Sequence, residues 1–341
     1  MADKTWRVVN VEPVDKTGKT YRTMEDAGCD LILGRDGLDF PWDEYTEEEL
    51  IQLCKGADAI IGGSRERYTR RLIESIPNLR ILSKHGTGTD RIDIEAATER
   101  GVLVTHTPVN SAAVAEHTVA LMLALMKRIR EADRRIRQGG WRDNDLQASL
   151  IGGKTVGIVG FGRIGVELAK RLQGWDVVIL AYDPYVGAET FVKCGVIRCT
   201  TLDEMLPQVD VLSLNAVLTR ENRHMIGKEV FKRMKKTAYV VNTSRGEIID
   251  ESTLIDALKD GDIAGAALDV MEKEPPLQEN ELLRLDNTIV TPHMSAWTPE
   301  MNWKLTATAM ENALAALQDE IPKYVKNPEV IARWRSRFVK K

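Results

Sequence analysis

At 341 residues the chain is long enough to bury two separate cores. Its 43% hydrophobic and 29% charged content is that of a globular protein, and a net charge of −4 gives no basic footprint for nucleic acid. Four scattered cysteines, Cys29, Cys54, Cys194 and Cys199, lack the second Cys or His pair of a zinc site, so no metal is expected and a reducing, cytoplasmic setting is.

From its start the chain runs straight into a strand, without a signal peptide's apolar region. Strand-like runs fall at 7–11, 30–33, 57–61, 79–82 and 102–105, with helical spacing at 47–55, 69–75 and 93–100. Such alternation predicts a parallel α/β domain. One long helical pattern then covers 111–138 and stops at Gly139-Gly140. Its apolar stretch, 119–126, is too short to cross a bilayer and reads as buried helix, so no membrane partner is expected. Further strands are expected at 156–159, 177–180, 209–214, 238–242, 264–268 and 288–291, a last helix at about 299–319, and a solvated basic tail at 333–341. Since the second set of strands finishes before the last helix begins, the second domain, 108–295, reads as inserted into a first made of 1–107 and 296–341.

Between the strands at 156–159 and 177–180 stands Gly160-Phe161-Gly162-Arg163-Ile164-Gly165, and Asp183 follows the second strand. Strand, glycine turn, helix, strand and acid is the layout of a dinucleotide-binding unit. Gly160 permits the tight turn, Gly162 lets a pyrophosphate approach the backbone, and Gly165 lets the helix pack on the strand. The amides of Arg163 and Ile164 would face the phosphates at the positive end of the helix. Asp183 would accept from the ribose hydroxyls and repel a 2′-phosphate, which selects NAD over NADP.

Three segments downstream put polar residues just after apolar strands, at the edge where parallel sheets bind ligands. They contribute Arg245, Glu274 and His293. An arginine can hold a carboxylate through two parallel bonds, a histidine can pass a proton near neutral pH, and a glutamate can orient the imidazole.

With these residues in view, the chain from about Arg7 to Glu329 resembles the D-isomer-specific 2-hydroxyacid dehydrogenases, the family of glyoxylate/hydroxypyruvate and D-3-phosphoglycerate dehydrogenases. Seventeen residues separate Gly165 from Asp183, as in the family. Asn110 and Val114-Ala115-Glu116-His117-Thr118 match its crossing-helix segment. Gly86-Thr87-Gly88-Thr89-Asp90 matches its carboxylate-binding loop. The resemblance implies an α/β fold with two parallel-sheet Rossmann-like domains, the NAD-binding domain inserted into a flavodoxin-like substrate domain. It implies hydride transfer between NAD(H) and C2 of a small 2-oxo or 2-hydroxy acid, with His293 as general acid/base, Glu274 its partner and Arg245 on the carboxylate. Thr118, Thr243, Ser244, Asp269 and Ser295 are expected at the cofactor, with Asp269 on the nicotinamide carboxamide. Ser64, Lys84, Thr87, Gly88, Arg245 and Trp297 are expected at the substrate. A homodimer joined through 111–138 and the segment around Trp141 is implied as well.

Several positions depart from the family. Ser295 replaces a glycine, Asn215 a histidine, Val217 a proline, and Gly63 an arginine of phosphoglycerate-type enzymes. The last change weakens a phosphorylated-substrate reading, while Arg65 and Lys84, close in sequence, leave a second anionic group on the substrate open. Two alternatives stay open: formate- or phosphite-type oxidation, and an NADH-binding corepressor-like module without turnover.

Overall fold

A computed structural model describes residues 5–36, 44–63 and 65–339. Two compact units divide the chain. One takes residues up to Asn110 and again from Trp297, and the other is Ser111–Ala296. The first crossing falls after Asn110 rather than after Thr107, because the Asn110 carboxamide is tied to Thr87 Oγ1 at 2.8 Å.

In the first unit the strands are β1 (Arg7–Asn10), β2 (Asp30–Leu33), β3 (Ala59–Gly62), β4 (Ile81–Lys84) and β5 (Leu103–Thr105). They form a parallel sheet in the order β2-β1-β3-β4-β5, the flavodoxin-like arrangement. Successive residues of a strand face opposite ways, and both faces are covered. Thus Val9, Ile60 and Leu82 pack into one cluster while Val8, Ile61 and Ile81 pack into another with Met310 and Trp334.

The second unit carries β6 (Thr155–Val159), β7 (Val178–Tyr182), β8 (Ile197–Cys199), β9 (Val211–Leu214), β10 (Tyr239–Asn242), β11 (Gly265–Leu268) and β12 (Thr288–Val290). Their parallel order is β12-β11-β10-β9-β6-β7-β8. The chain reverses direction across the sheet between β6 and β9, and Rossmann-type sheets bind ligands at such a switch point.

Three expectations need correction. The helix foreseen over 111–138 is two, Ser111–Met126 and Ile129–Arg137, broken at Arg128 with φ 52. The Met126 carbonyl accepts from the Ser149 amide at 2.8 Å instead of continuing a helical ladder, and the apolar stripe ends there. β8 had no counterpart in the sequence, because Ile197 and Arg198 lie exposed at the sheet's edge and give no apolar run. The basic tail is a helix, Ile331–Phe338, whose Trp334 is fully buried and donates from Nε1 to Arg80 O at 3.0 Å. Trp334 and Phe338 are one turn apart on the inward face; between them Arg335 is exposed and Arg337 donates to the carbonyls of Arg100 and Pro77.

Candidate active site

The chain leaves β6 through Gly160, whose φ is +88 and whose added Cβ would lie 2.5 Å from Ala216 N. Only glycine suits both conditions. Gly165 sits in the Arg163–Leu172 helix, and a Cβ there would meet Gly160 O at 2.5 Å. Gly162, the residue before that helix, is different: no atom lies within 4 Å of its added Cβ. The backbone there is open at the positive end of a helix, which fits a dinucleotide pyrophosphate. Asp183 follows β7 and accepts from Phe161 N at 2.8 Å, Tyr185 N at 2.9 Å and Val186 N at 3.2 Å. The acid expected at the ribose therefore also fastens the glycine loop. A carboxylate has about four acceptor sites, so capacity remains for a ribose hydroxyl.

Arg245 is set by the turn after β10. Asn242 Oδ1 accepts from Ser244 N at 3.0 Å and Ser244 Oγ at 2.8 Å, while its Nδ2 donates to Arg245 O at 2.8 Å. At Gly246 an added Cβ would lie 2.0 Å from the Met271 carbonyl carbon. Glycine thus lets the Arg245 turn press against the segment that bears Glu274. His293 Nδ1 and Glu274 Oε2 are 2.8 Å apart. A carboxylate can only accept, so Nδ1 carries the proton and Nε2 is the ring atom left for exchange. Burial pushes the Glu274 carboxyl up, but the His293 bond and charge, the Met271 amide and the Arg245 charge outweigh it and hold the group below its ordinary range.

Asp269 is 1% exposed, with its carboxylate engaged by Thr291 Oγ1 at 2.6 Å, Met294 N at 2.8 Å and Ser295 N at 2.9 Å. Its carbonyl takes His293 N at 2.8 Å. The residue expected on the nicotinamide is thus the anchor of the loop that presents His293, and its buried carboxylate offers no open surface. His117, named in the sequence only as part of the crossing-helix segment, lies at the same hub, with Nε2 3.4 Å from Thr291 Oγ1 and 3.7 Å from Asp269 Oδ1. Nothing in its spacing announced that. A second imidazole–carboxylate pair, His224 with Glu272, was also missed; Glu272 stands two residues before Glu274 in the same segment.

The remaining expected residues separate by burial. Thr118 is fully buried, bonded to Val114 O and Thr243 Oγ1 at 2.7 and 2.8 Å, so it joins helix to sheet and offers no surface to a cofactor. Thr243, Ser244 and Ser295 are nearly buried around the same strand ends. In the first unit Lys84 is 4% exposed and donates from Nζ to His85 O at 2.7 Å, which braces the loop that follows β4. Thr87 and Gly88 in that loop are half-buried, with Thr107 holding Gly86 N at 2.7 Å. Trp297 is 46% exposed. Ser64 lies outside the described residues. Among the described residues no group of His, Cys, Asp and Glu has the makings of a metal site.

Residues 119–295 match the family model described as "D-isomer specific 2-hydroxyacid dehydrogenase, NAD binding domain". A glyoxylate reductase of Thermofilum pendens is 40% identical over 308 residues, covering 89% of this chain and 90% of that one. A D-3-phosphoglycerate dehydrogenase of Archaeoglobus fulgidus is 42% identical over 86% of this chain, which spans only 54% of that longer protein. The crystal structure of a glyoxylate reductase from Paecilomyes thermophila superimposes with a TM-score of 0.84 at 26% identity, covering 95% of this chain and 99% of that one.

Proposed function

Because this chain belongs to the D-isomer specific 2-hydroxyacid dehydrogenase family, an NAD-dependent class of oxidoreductases, we propose that it interconverts a small 2-oxo acid and its D-2-hydroxy acid, with His293 as the acid/base. The observation that carries this reading is the His293–Glu274 pair at 2.8 Å, with the Arg245 charge felt at Glu274. When bound, NADH supplies the hydride for C2. His293 gives the Nε2 proton to the forming alkoxide and recovers it in the reverse direction. Glu274 steadies the imidazolium, and its depressed pKa keeps it ionised for that task. Arg245 grips the substrate carboxylate and draws electron density from the carbonyl. In the first unit, the family resemblance gives the loop at 86–90 a part in substrate binding. Asp269 serves chiefly by fixing the 293–295 loop, since a bond to the nicotinamide carboxamide would require it to give up one of its present donors.

Glyoxylate is the first substrate to test, because a relative of that name matches along nearly its whole length. Purified protein is mixed with NADH and a panel of glyoxylate, hydroxypyruvate and pyruvate, and NADH absorbance is followed. Turnover on at least one is expected. NADH binding without turnover on any 2-oxo acid would overturn the reading in favour of a binding module.

The reading includes a homodimer. The Ile129–Arg137 helix buries none of its residues, and Ile129, Ile136, Trp141 and Leu150 are all more than half exposed. An exposed apolar set of this kind marks an interaction face. It also includes a cytoplasmic setting, supported by four free cysteines. Among the described residues no helix is long and apolar enough to cross a membrane.

A further inference from the structure

We propose that His224 and Glu272 are a positioning pair for proton transfer at His293, because their contact holds the segment that carries Glu274. The role rests on the dehydrogenase reading above.

Glu274 is engaged at both oxygens. Oε2 meets His293 Nδ1 at 2.8 Å, and Oε1 accepts from Met271 N at 3.1 Å. The direction in which Glu274 points therefore follows the placement of 271–273. That stretch lies past β11 and outside any helix or strand, so no regular ladder fixes it. Three contacts do so instead. Its main chain rests on Gly246, where an added Cβ would lie 2.0 Å from Met271 C and 2.4 Å from Glu272 N. The Glu272 amide donates to Glu251 Oε2 at 3.1 Å, and Asn280 Nδ2 donates to the other oxygen of Glu251 at 2.7 Å. The Glu272 side chain runs to His224.

Glu272 Oε1 is shut off from solvent, and among the described residues only His224 Nε2 meets it. A buried carboxylate oxygen without a donor is costly, so the imidazole carries that whole demand. A carboxylate only accepts, so Nε2 bears the proton. His224 reaches the place from a left-handed backbone, φ 55, a conformation it shares with His293 at φ 51. Side chains seldom adopt that region, and the surrounding structure has to impose it. The imposing partner is the chain just past Arg245. His224 N donates to Glu247 O at 2.8 Å, Ile226 N to Ile248 O at 3.0 Å, and Asp250 N to Ile226 O at 3.0 Å.

His224 thus spans from the turn of Arg245 to the segment of Glu274. On the dehydrogenase reading, Arg245 grips the substrate carboxylate from the end of β10, and Glu274 steadies the imidazole from beyond β11. His224 ties the second to the first. The turn of Arg245 is separately held by Asn242, whose bonds do not involve His224. Loosening the His224–Glu272 contact should therefore slow the chemistry and spare substrate affinity.

The test measures kcat and KM with NADH and the 2-oxo acid that wild type turns over fastest, alongside melting midpoints. Glu272→Ala should lower kcat by about tenfold and leave KM within about twofold. Glu272→Gln keeps an acceptor oxygen for Nε2 and should restore kcat to within about twofold of wild type. His224→Asn suits the left-handed backbone but is too short to reach Glu272, so it should match Glu272→Ala. The double variant, His224→Asn with Glu272→Ala, should be no slower than either single one, since both remove one contact. A folded Glu272→Ala protein with wild-type kcat overturns the proposal. So does a Glu272→Gln protein as slow as Glu272→Ala, or a loss that falls on the melting midpoint while kcat per folded molecule stays unchanged. If Glu272→Ala does not fold, His224→Asn decides by the same measure: a tenfold fall in kcat at constant KM supports the pair, and wild-type kcat overturns it while leaving the dehydrogenase reading intact. No turnover by wild type on any 2-oxo acid overturns both.

Discussion

The two parallel sheets end differently at their carboxyl edges. Around β6 and β7 the seven-stranded sheet ends in open main chain: Gly160 and Gly165 are packed, Gly162 faces empty space, and Asp183 holds the loop through the Phe161 amide. The five-stranded sheet ends in buried charge, with Glu12, Arg65 and Lys84 closing the strand ends. A cofactor of fixed shape can be met by backbone, which demands glycines at set spacing. Substrates that vary are met by side chains from segments far apart in sequence, and no spacing rule describes those. One architecture thus carries a ligand site written as a motif and another written as a charge balance.

Four experiments break or sharpen that contrast. The largest effect belongs to His293→Ala, which should lower kcat/KM by about a thousandfold while NADH affinity moves less than about twofold. Retained turnover would remove the chemistry from the loop that Asp269 anchors. Next is the pair Gly160→Ala and Gly162→Ala. The first forces a Cβ into Ala216 at φ +88 and should destabilise the protein by about 2 kcal/mol or more. The second meets no protein atom. It should leave the melting midpoint in place and weaken NADH binding by about tenfold. Equal destabilisation by both would mean that no open cradle exists.

Asp183→Asn keeps an acceptor for the Phe161 amide and removes the charge, so discrimination against NADPH should fall by about tenfold. An unchanged NADH-to-NADPH ratio of kcat/KM would show that the acid only fastens the loop.

The smallest effect concerns Glu66 in the charged edge. Burial, and secondarily the Glu12 charge, push its carboxyl up to about 7 from 4.5. The folded value is raised, so the stability associated with the protonated form is complete below about 4.5 and is lost as pH rises through about 7. Glu66→Gln cannot ionise and should flatten this part of the pH dependence. Melting midpoints at several pH values decide it, and parallel slopes for the two proteins would clear Glu66 of any part.

Much of this was legible in the sequence. The interior strands are buried on both faces, so each left a continuous apolar run. β8, at an edge with exposed residues, left none. The break at Arg128 depends on Ser149 taking the Met126 carbonyl, a partner no local pattern discloses. Arg245, Glu274 and His293 were readable because each follows a strong strand. The Asp269 hub and its His117 neighbour were not, because their roles come from bonds across loops more than twenty residues apart. The Glu12–Arg65 pair spans 53 residues, and only its glycine neighbour left a trace, as a departure at position 63.

Trp334 has a consequence for the order in which the protein is made. Its indole closes over Arg80, 254 residues earlier, so the discontinuous unit lacks a core side chain until the chain past 334 has been synthesised. The Ser111–Ala296 unit is continuous and complete well before that. Closing so long a separation across an unfolded insert carries an entropy cost of about 5 kcal/mol. A folded insert replaces that floppy chain with a compact body. Vectorial synthesis therefore favours the cofactor unit as the earlier product, and the unit begun first is finished last.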